Sequence, residues 1–394
     1  MGISGNVAIV GVGKTRFGEN FRQGYTDMLA EACREAFADA GIEGRDVQAA
    51  WLGTYLPYAW GYEGVSGSTL AEALNLYPIP VTRVSNFCTT GMEAVRGAAL
   101  AVASGEYDVA LAVGAEKMRD VPPRDSLIAQ HVEKGHPLYC KGRTAPGAFA
   151  LLARRYFETY DINEEILARV AVKNHRHGAL NPKAHFRKEI TVEQILQAPR
   201  VAEPLGLLDC CPTTDGAAAV IVTRTDLARR SGKPHVVIQG TGLSCASGYF
   251  TMAFDSDYDF LGFDSTREAA RAAYAQAGID NPRERIDVAE VHDCFTITEI
   301  VNYEDLGFCG RGEGGAFVSG GAADLDGELP VNTSGGLKSC GHPIGATGTR
   351  MVGDITDQLL GRAGKRQVRD ARVGLAHTLG GPGSVACVFV LERG

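Results

Sequence analysis

Apolar residues along this chain fall into two alternating rhythms. Short unbroken runs at Val7 to Val12, Val81 to Val84, Tyr107 to Gly114 and Ala217 to Thr223 predict buried strands. Between them, apolar positions recur at helical spacing, as in Thr26 to Ala40, which Gly41 closes, and Gly91 to Ser104. Asp46 to Leu56 predicts a further strand. Strands that alternate with helices imply an α/β fold with parallel or mixed sheets. From Lys117 to about Pro204 the rhythm breaks into a polar, proline-rich stretch, helical at Gly147 to Thr159 and Asn163 to Asn174. That stretch reads as an insertion covering one face of the core.

A second half begins near Val236 and echoes the first. Cys88-Thr-Thr-Gly91 opens a helix leading to the strand Val109 to Val113, and Gly345-Ala-Thr-Gly348 opens one leading to Val373 to His377. Two similar α/β halves follow: residues 1–116 with a returning strand in 205–235, an inserted unit at 117–204, and residues 236–394.

Bulk properties narrow the classes. A chain of 394 residues exceeds one ordinary domain, and 45% hydrophobic with 22% charged residues describes a soluble globular protein. No apolar run reaches bilayer length, so no membrane span is expected. A net charge of −8 argues against nucleic acid as partner. The N-terminus has no basic flank and reads as no secretory signal. Ten cysteines without a paired framework point to reduced thiols in a cytoplasm. Adjacent Cys210-Cys211 and the lack of any C-x-x-C give no zinc spacing, so no metal is expected. Gly13-Lys14-Thr15 imitates a phosphate loop, but Ala8 stands where that motif needs glycine.

Four segments carry candidate chemistry. Cys88 lies between a predicted strand and a predicted helix, where unpaired N–H groups and the helix dipole favour thiolate. The competing reading is a buried core cysteine. His292 and Cys294, in Val291-His-Asp-Cys-Phe295, lie two apart at a strand end and supply near-neutral proton exchange. His342 stands between Gly341 and Pro343, in a stretch whose glycines imply tight turns and close backbone approach to a ligand. An imidazole held beside a thiolate is an activated nucleophile. The loop Ala376 to Ser384, with Gly380, presents backbone N–H groups suited to an oxyanion, or is only a strand-to-strand turn.

In this order the four segments resemble the thiolase family, over the whole chain. Gly341-His-Pro-Ile-Gly-Ala-Thr-Gly348 carries the match, and His292-Asp-Cys-Phe295 resembles the sterol-carrier-protein type with its bacterial and archaeal relatives. The resemblance implies a thiolase fold, with two halves in a five-layer αβαβα core plus a loop domain. It implies Cys88 as the acylated nucleophile, His342 as its base, His292 in an oxyanion site, and Cys294 as the second acid/base. The N–H groups of Cys88 and Gly380 would form the other oxyanion hole. Common thiolases keep the acid/base cysteine in the C-terminal loop. Here Thr378 stands at that place, which supports Cys294 in the role and leaves His377 unexplained.

The implied activity is cleavage of a 3-oxoacyl-CoA by coenzyme A, or the reverse Claisen condensation, with an unusual or aromatic acyl group among the options. Coenzyme A is then a substrate, with no permanently bound cofactor. The basic stretch Lys173 to Lys188 would meet its phosphates, with Lys183 and Arg187 as candidates. Tyr55, Tyr58, Trp60 and Tyr249 are candidate pocket aromatics. Alternatives are a thiolase-fold retro-aldolase, whose members lack the nucleophilic cysteine, and a non-catalytic thiolase-like subunit. Implied partners are a second copy, in a homodimer or tetramer, and a small zinc-ribbon/OB-fold protein.

Overall fold

The computed structural model describes residues 2–122, 144–246 and 258–394. Its strands are β1 (Val7–Lys14), β2 (Ala49–Gly53), β3 (Val81–Val84), β4 (Val109–Glu116), β5 (Arg200–Ala202), β6 (Leu205–Gly206), β7 (Gly216–Arg224), β8 (Val236–Cys245), β9 (Val288–Glu290), β10 (Val373–Gly380) and β11 (Val385–Arg393). The helices that matter here are α1 (Tyr25–Ala40), α2 (Thr90–Ser104), α3 (Ala145–Tyr160), α4 (Glu164–Ala179), α5 (Asp264–Ala277), α6 (Thr296–Asp305) and α7 (Ile344–Leu359).

Among the described residues nine strands join in the order β3-β2-β4-β7-β1-β8-β11-β10-β9. The duplication expected from the sequence is written into this order. From the edge inward, the first half runs β3-β2-β4-β7-β1. The second runs Val331-β9-β10-β11-β8, with Val331 bridged to Ala289 of β9. In each half the first two pairings are parallel and the last two antiparallel. The two half-sheets join through two residue pairs of β1 and β8, Ala8 with Val237 and Ile9 with Val236.

Each half buries one sheet face against helices shared with the other half. α7 packs against β4 and β7 of the first half and β10 of the second, and against α2. It is buried around nearly its whole circumference, as an internal helix must be. α1 covers β1 and β7, and α5 covers β8 and β11, each burying an alanine-rich stripe. The layers are therefore helix, sheet, helix, sheet, helix.

Glycine sets the spacing in the middle layer. A Cβ at Gly91 would stand 2.4 Å from the Gly345 carbonyl oxygen, and one at Gly348 would stand 2.4 Å from Met92 N. The Thr349 hydroxyl donates to the Gly91 carbonyl across this crossing, at 2.8 Å. The close approach expected for this glycine-rich stretch is thus made, at Gly345 and Gly348, by the protein's own backbone. Its consequence is that α2 and α7 begin side by side, which brings Cys88 and His342 together.

Candidate active site

β3 ends in a tight turn that delivers Cys88 just ahead of α2. Phe87 takes φ +47°, a left-handed conformation that costs a non-glycine residue roughly 1–2 kcal/mol. Thr90 holds the turn: its hydroxyl accepts from Asn86 N–H at 2.7 Å and donates to the Phe87 carbonyl at 2.5 Å. Cys88 lines a cavity of about 120 Å³, together with His292, Cys294, His342 and Gly380. The candidates named from the motifs thus surround one chamber.

His342 follows the short helix Gly336–Cys340 and precedes α7. Gly341 turns the chain between them at φ +107°, with its α-carbon packed on Thr214, where a side chain would clash. His342 Nε2 lies 3.3 Å from Cys88 Sγ, and Nδ1 lies 2.7 Å from Thr347 Oγ1. The Thr347 hydroxyl donates its one proton to the Pro343 carbonyl, at 2.9 Å. It therefore accepts from Nδ1–H, which assigns the proton to Nδ1 and leaves the Nε2 lone pair facing the thiol. Burial, then the Arg350 charge, push the His342 pKa down to about 3, so the ring is neutral at pH 7.

The His292-Asp-Cys-Phe295 motif leaves the end of β9 and enters α6. The His292 ring meets that of His342 edge-on, with centroids 5.2 Å apart. Burial and the neighbouring His342 hold His292 well below the usual histidine range. His292 Nδ1 is buried without a hydrogen-bond partner among the described residues. His377 lies behind it, fully buried. Its Nδ1 receives the His292 backbone N–H at 3.5 Å, and its Nε2 is 3.1 Å from Thr266 Oγ1. His377 therefore supports the His292 backbone from behind. It is absent from the residues that line the cavity.

Cys294 is buried, with Sγ 3.8 Å from Thr298 Oγ1. Burial and the neighbouring Cys211 and Cys88 raise its pKa well above the usual thiol range, so it carries its proton at pH 7. Cys211 lines the same cavity, and its backbone N–H donates to the Cys294 carbonyl at 2.9 Å. No sequence signal marked it.

Asp293, between His292 and Cys294, ties their loop to the one that carries His342. Its carboxylate accepts from the N–H groups of Leu337 (2.6 Å) and Lys338 (3.1 Å), in the short helix before His342. Asn174 of α4 donates to Asp293 at 2.7 Å and to Glu299 at 2.6 Å. Lys173 pairs with Glu299 at 2.8 Å and donates to the Val331 carbonyl. Burial and Glu299 raise Asp293 to about 7. On the other side Glu116, at the end of β4, accepts from Gly345 N–H (2.6 Å) and Tyr55 N–H (3.0 Å). It fastens the start of α7 to the segment carrying Tyr55, and burial lifts it to about 7.

The C-terminal glycine stretch is the turn of the β10–β11 hairpin. Gly380 lies against the Cys88 turn: a Cβ there would come 3.0 Å from Cys88 N and 2.7 Å from Phe87 Cβ.

The basic stretch divides between two surroundings. Lys173, His175 and His177 face inward, and each is buried. Lys173 and His177, four apart, share the face of α4 that meets Glu299 and Asn332, with Lys173 paired to Glu299 and His177 Nδ1 3.1 Å from the Asn332 carbonyl oxygen. His175 lies on another face, its Nδ1 3.1 Å from the Lys188 carbonyl oxygen. Lys183 and Arg187 line a separate open cavity that shares no residue with the first. There Lys183 pairs with Glu35, at 2.6 Å. Of the candidate aromatics, Tyr55 lines the Cys88 cavity, Trp60 is buried core and Tyr58 is 79% exposed. Tyr249 lies outside the described residues.

Comparison with known proteins gives the same reading at full length. Residues 7–226 match the family described as "Thiolase, N-terminal domain", and residues 246–393 match "Thiolase C-terminal domain-like". The chain is 42% identical to an acetyl-CoA acetyltransferase of Methanothermobacter thermautotrophicus, over 98% of this chain and 100% of the relative. It is 34% identical to sterol carrier protein 2 of Oryctolagus cuniculus, over 98% of this chain and 72% of the relative. Among solved structures it resembles a chain of the "Ltp2-ChsH2(DUF35) aldolase", with TM-score 0.86, 28% identity, and coverage of 99% and 98%. Matched along both halves, and carrying a cysteine–histidine pair where they meet, this chain belongs to the thiolase family.

Proposed function

We propose that this protein is an acyl-CoA C-acyltransferase that cleaves a short 3-oxoacyl-CoA with coenzyme A, or runs the reverse condensation, through an acyl group on Cys88. The observation that carries the reading is the 3.3 Å contact between Cys88 Sγ and His342 Nε2, with Thr347 fixing the tautomer. His342 takes the thiol proton as Sγ attacks the 3-oxo carbon. The oxyanion forms beside the backbone N–H groups of Cys88 and Gly380. The carbon–carbon bond then breaks, and the electron pair left on the departing acetyl-CoA unit is held as an enolate whose oxygen faces His292 and His342. Cys294, protonated at pH 7, gives its proton to the enolate carbon. Coenzyme A, deprotonated in turn, displaces the acyl group from Cys88.

The small cavity, walled by the stacked rings of Phe149 and Phe295 (centroids 4.8 Å apart), supports a short acyl group such as acetyl. The names of the acetyl-CoA acetyltransferase relatives favour the same choice. The ChsH2(DUF35) component in the structural neighbour's title supports a partner protein here, and we propose self-association beside it. No helix among the described residues is long and apolar enough to cross a membrane. We place the protein in the cytoplasm.

A second reading follows from the same neighbour, an aldolase: retro-aldol cleavage without a covalent acyl group. The Cys88–His342 pair favours acyl transfer. Self-acylation of Cys88 separates the two, and Cys294→Ala tests the proton donor of the first. That variant is expected to keep self-acylation by acetyl-CoA and to lose acetoacetyl-CoA cleavage by about 10²–10⁴-fold, the usual contribution of a general acid. Loss of both steps together would make Cys294 structural, and cleavage at the parent rate would remove it from the mechanism.

A further inference from the structure

Cys88, His292 and His342 each offer a ligand atom, and the three atoms lie within 4.8 Å of one another. The edge between Cys88 Sγ and His342 Nε2 is already 3.3 Å. With Zn–S near 2.3 Å and Zn–N near 2.0–2.1 Å, donors around a tetrahedral zinc stand about 3.5 Å apart. Closing the remaining edges therefore asks for a shift of about 1 Å or so in the His292 ring. A neutral imidazole keeps a lone pair on one of its nitrogens, and the His292 side chain, only 1% exposed, has its Nδ1 buried without a hydrogen-bond partner among the described residues.

We propose that these three residues form a site for a thiophilic divalent cation, Zn²⁺ first, and that the bound ion blocks Cys88. One thiolate and two imidazoles are a borderline-soft donor set with no carboxylate, which selects Zn²⁺ over Mg²⁺ or Ca²⁺. Thr347 on His342 Nδ1 plays the outer-shell part that orients a metal-bound histidine. On binding, the Sγ–H proton leaves to solvent, Sγ–Zn forms, and the fourth position faces the cavity, where water completes the shell. The ion and an acyl group compete for one sulfur. The inference rests on the placement of these atoms and not on which reaction the protein catalyses.

The test uses the purified full chain, stripped with a chelator and then exchanged free of it. Zn²⁺ is titrated in competition with a chromophoric chelator, and Co²⁺ serves as a spectroscopic probe. One Zn²⁺ per chain is expected, with a cobalt–thiolate charge-transfer band. Both should weaken at least tenfold in Cys88→Ser and in His292→Asn, and stay unchanged in Cys245→Ser, which alters an exposed cysteine. Circular dichroism checks that each variant is folded. In the parent chain, Zn²⁺ should slow iodoacetamide labelling of Cys88 at least tenfold while Cys245 labels at its free rate. Unchanged labelling of Cys88, a missing thiolate band, or equal Zn²⁺ affinity in Cys88→Ser would each overturn the proposal.

Discussion

Thr347 decides what His342 can do. Its single hydroxyl proton goes to the Pro343 carbonyl, so its lone pair receives Nδ1–H and the ring's own lone pair lies at Nε2, toward Cys88. In Thr347→Val the ring loses that partner and is free to flip or change tautomer. Cys88 acylation, followed by rapid quench and mass, should then slow by about tenfold, the worth of one well-made hydrogen bond. An unchanged rate would show that packing alone orients the ring. Cys88, His292, Cys294, His342 and Gly380 were legible because each sits in a motif with glycine, proline or a strand end beside it. Asp293 and Thr347 lie inside the same motifs, yet their work is hydrogen bonding to distant backbone, which spacing does not reveal. Cys211 reaches the cavity through a contact 83 positions away from Cys294 in sequence, and nothing local announces that.

At the scale of elements, α4 is where sequence and structure part. Its run of lysine, arginine and histidine reads as a basic patch for coenzyme A phosphates, yet Lys173, His175 and His177 point into the protein. Charge composition cannot tell a wet helix face from one that meets a buried carboxylate, and here Glu299 is the partner. A pH effect follows. Burial and Lys173 push His177 down to about 3, so it stays neutral in the folded chain. An unfolded histidine titrates near 6.5, so below that pH the unfolded chain gains a proton that the folded chain refuses, and stability falls. Between pH 6.5 and pH 5 the loss is about 2 kcal/mol for one such histidine. Urea unfolding of His177→Gln should therefore decline less over this window, by about that amount; an equal slope would mean that His177 protonates in the folded state. The strands and helices named from the sequence lie within about five residues of their observed ends, because burial on both faces leaves apolar runs and helical periodicity intact, whereas α5, β8 and β11 were not named.

The whole molecule is two copies of one α/β plan joined at β1 and β8, and the site exists only where they meet. The first half supplies Cys88 at the head of α2, and the second supplies His342 ahead of α7, with His292 and Cys294 ahead of α6. The glycine crossing of α2 and α7 makes that meeting close enough for chemistry. The echo between the halves was visible in the sequence as a recurring turn, helix and strand. The pairing of β1 with β8 was not, since edge-to-edge registry between distant strands leaves no local trace. The central claim is a covalent acyl group on Cys88, and intact-protein mass after incubation with acetyl-CoA tests it most directly. The account predicts a gain of one acetyl group on the parent chain and none on Cys88→Ala. An adduct that persists in Cys88→Ala, or undiminished acetoacetyl-CoA cleavage by that variant, would contradict it.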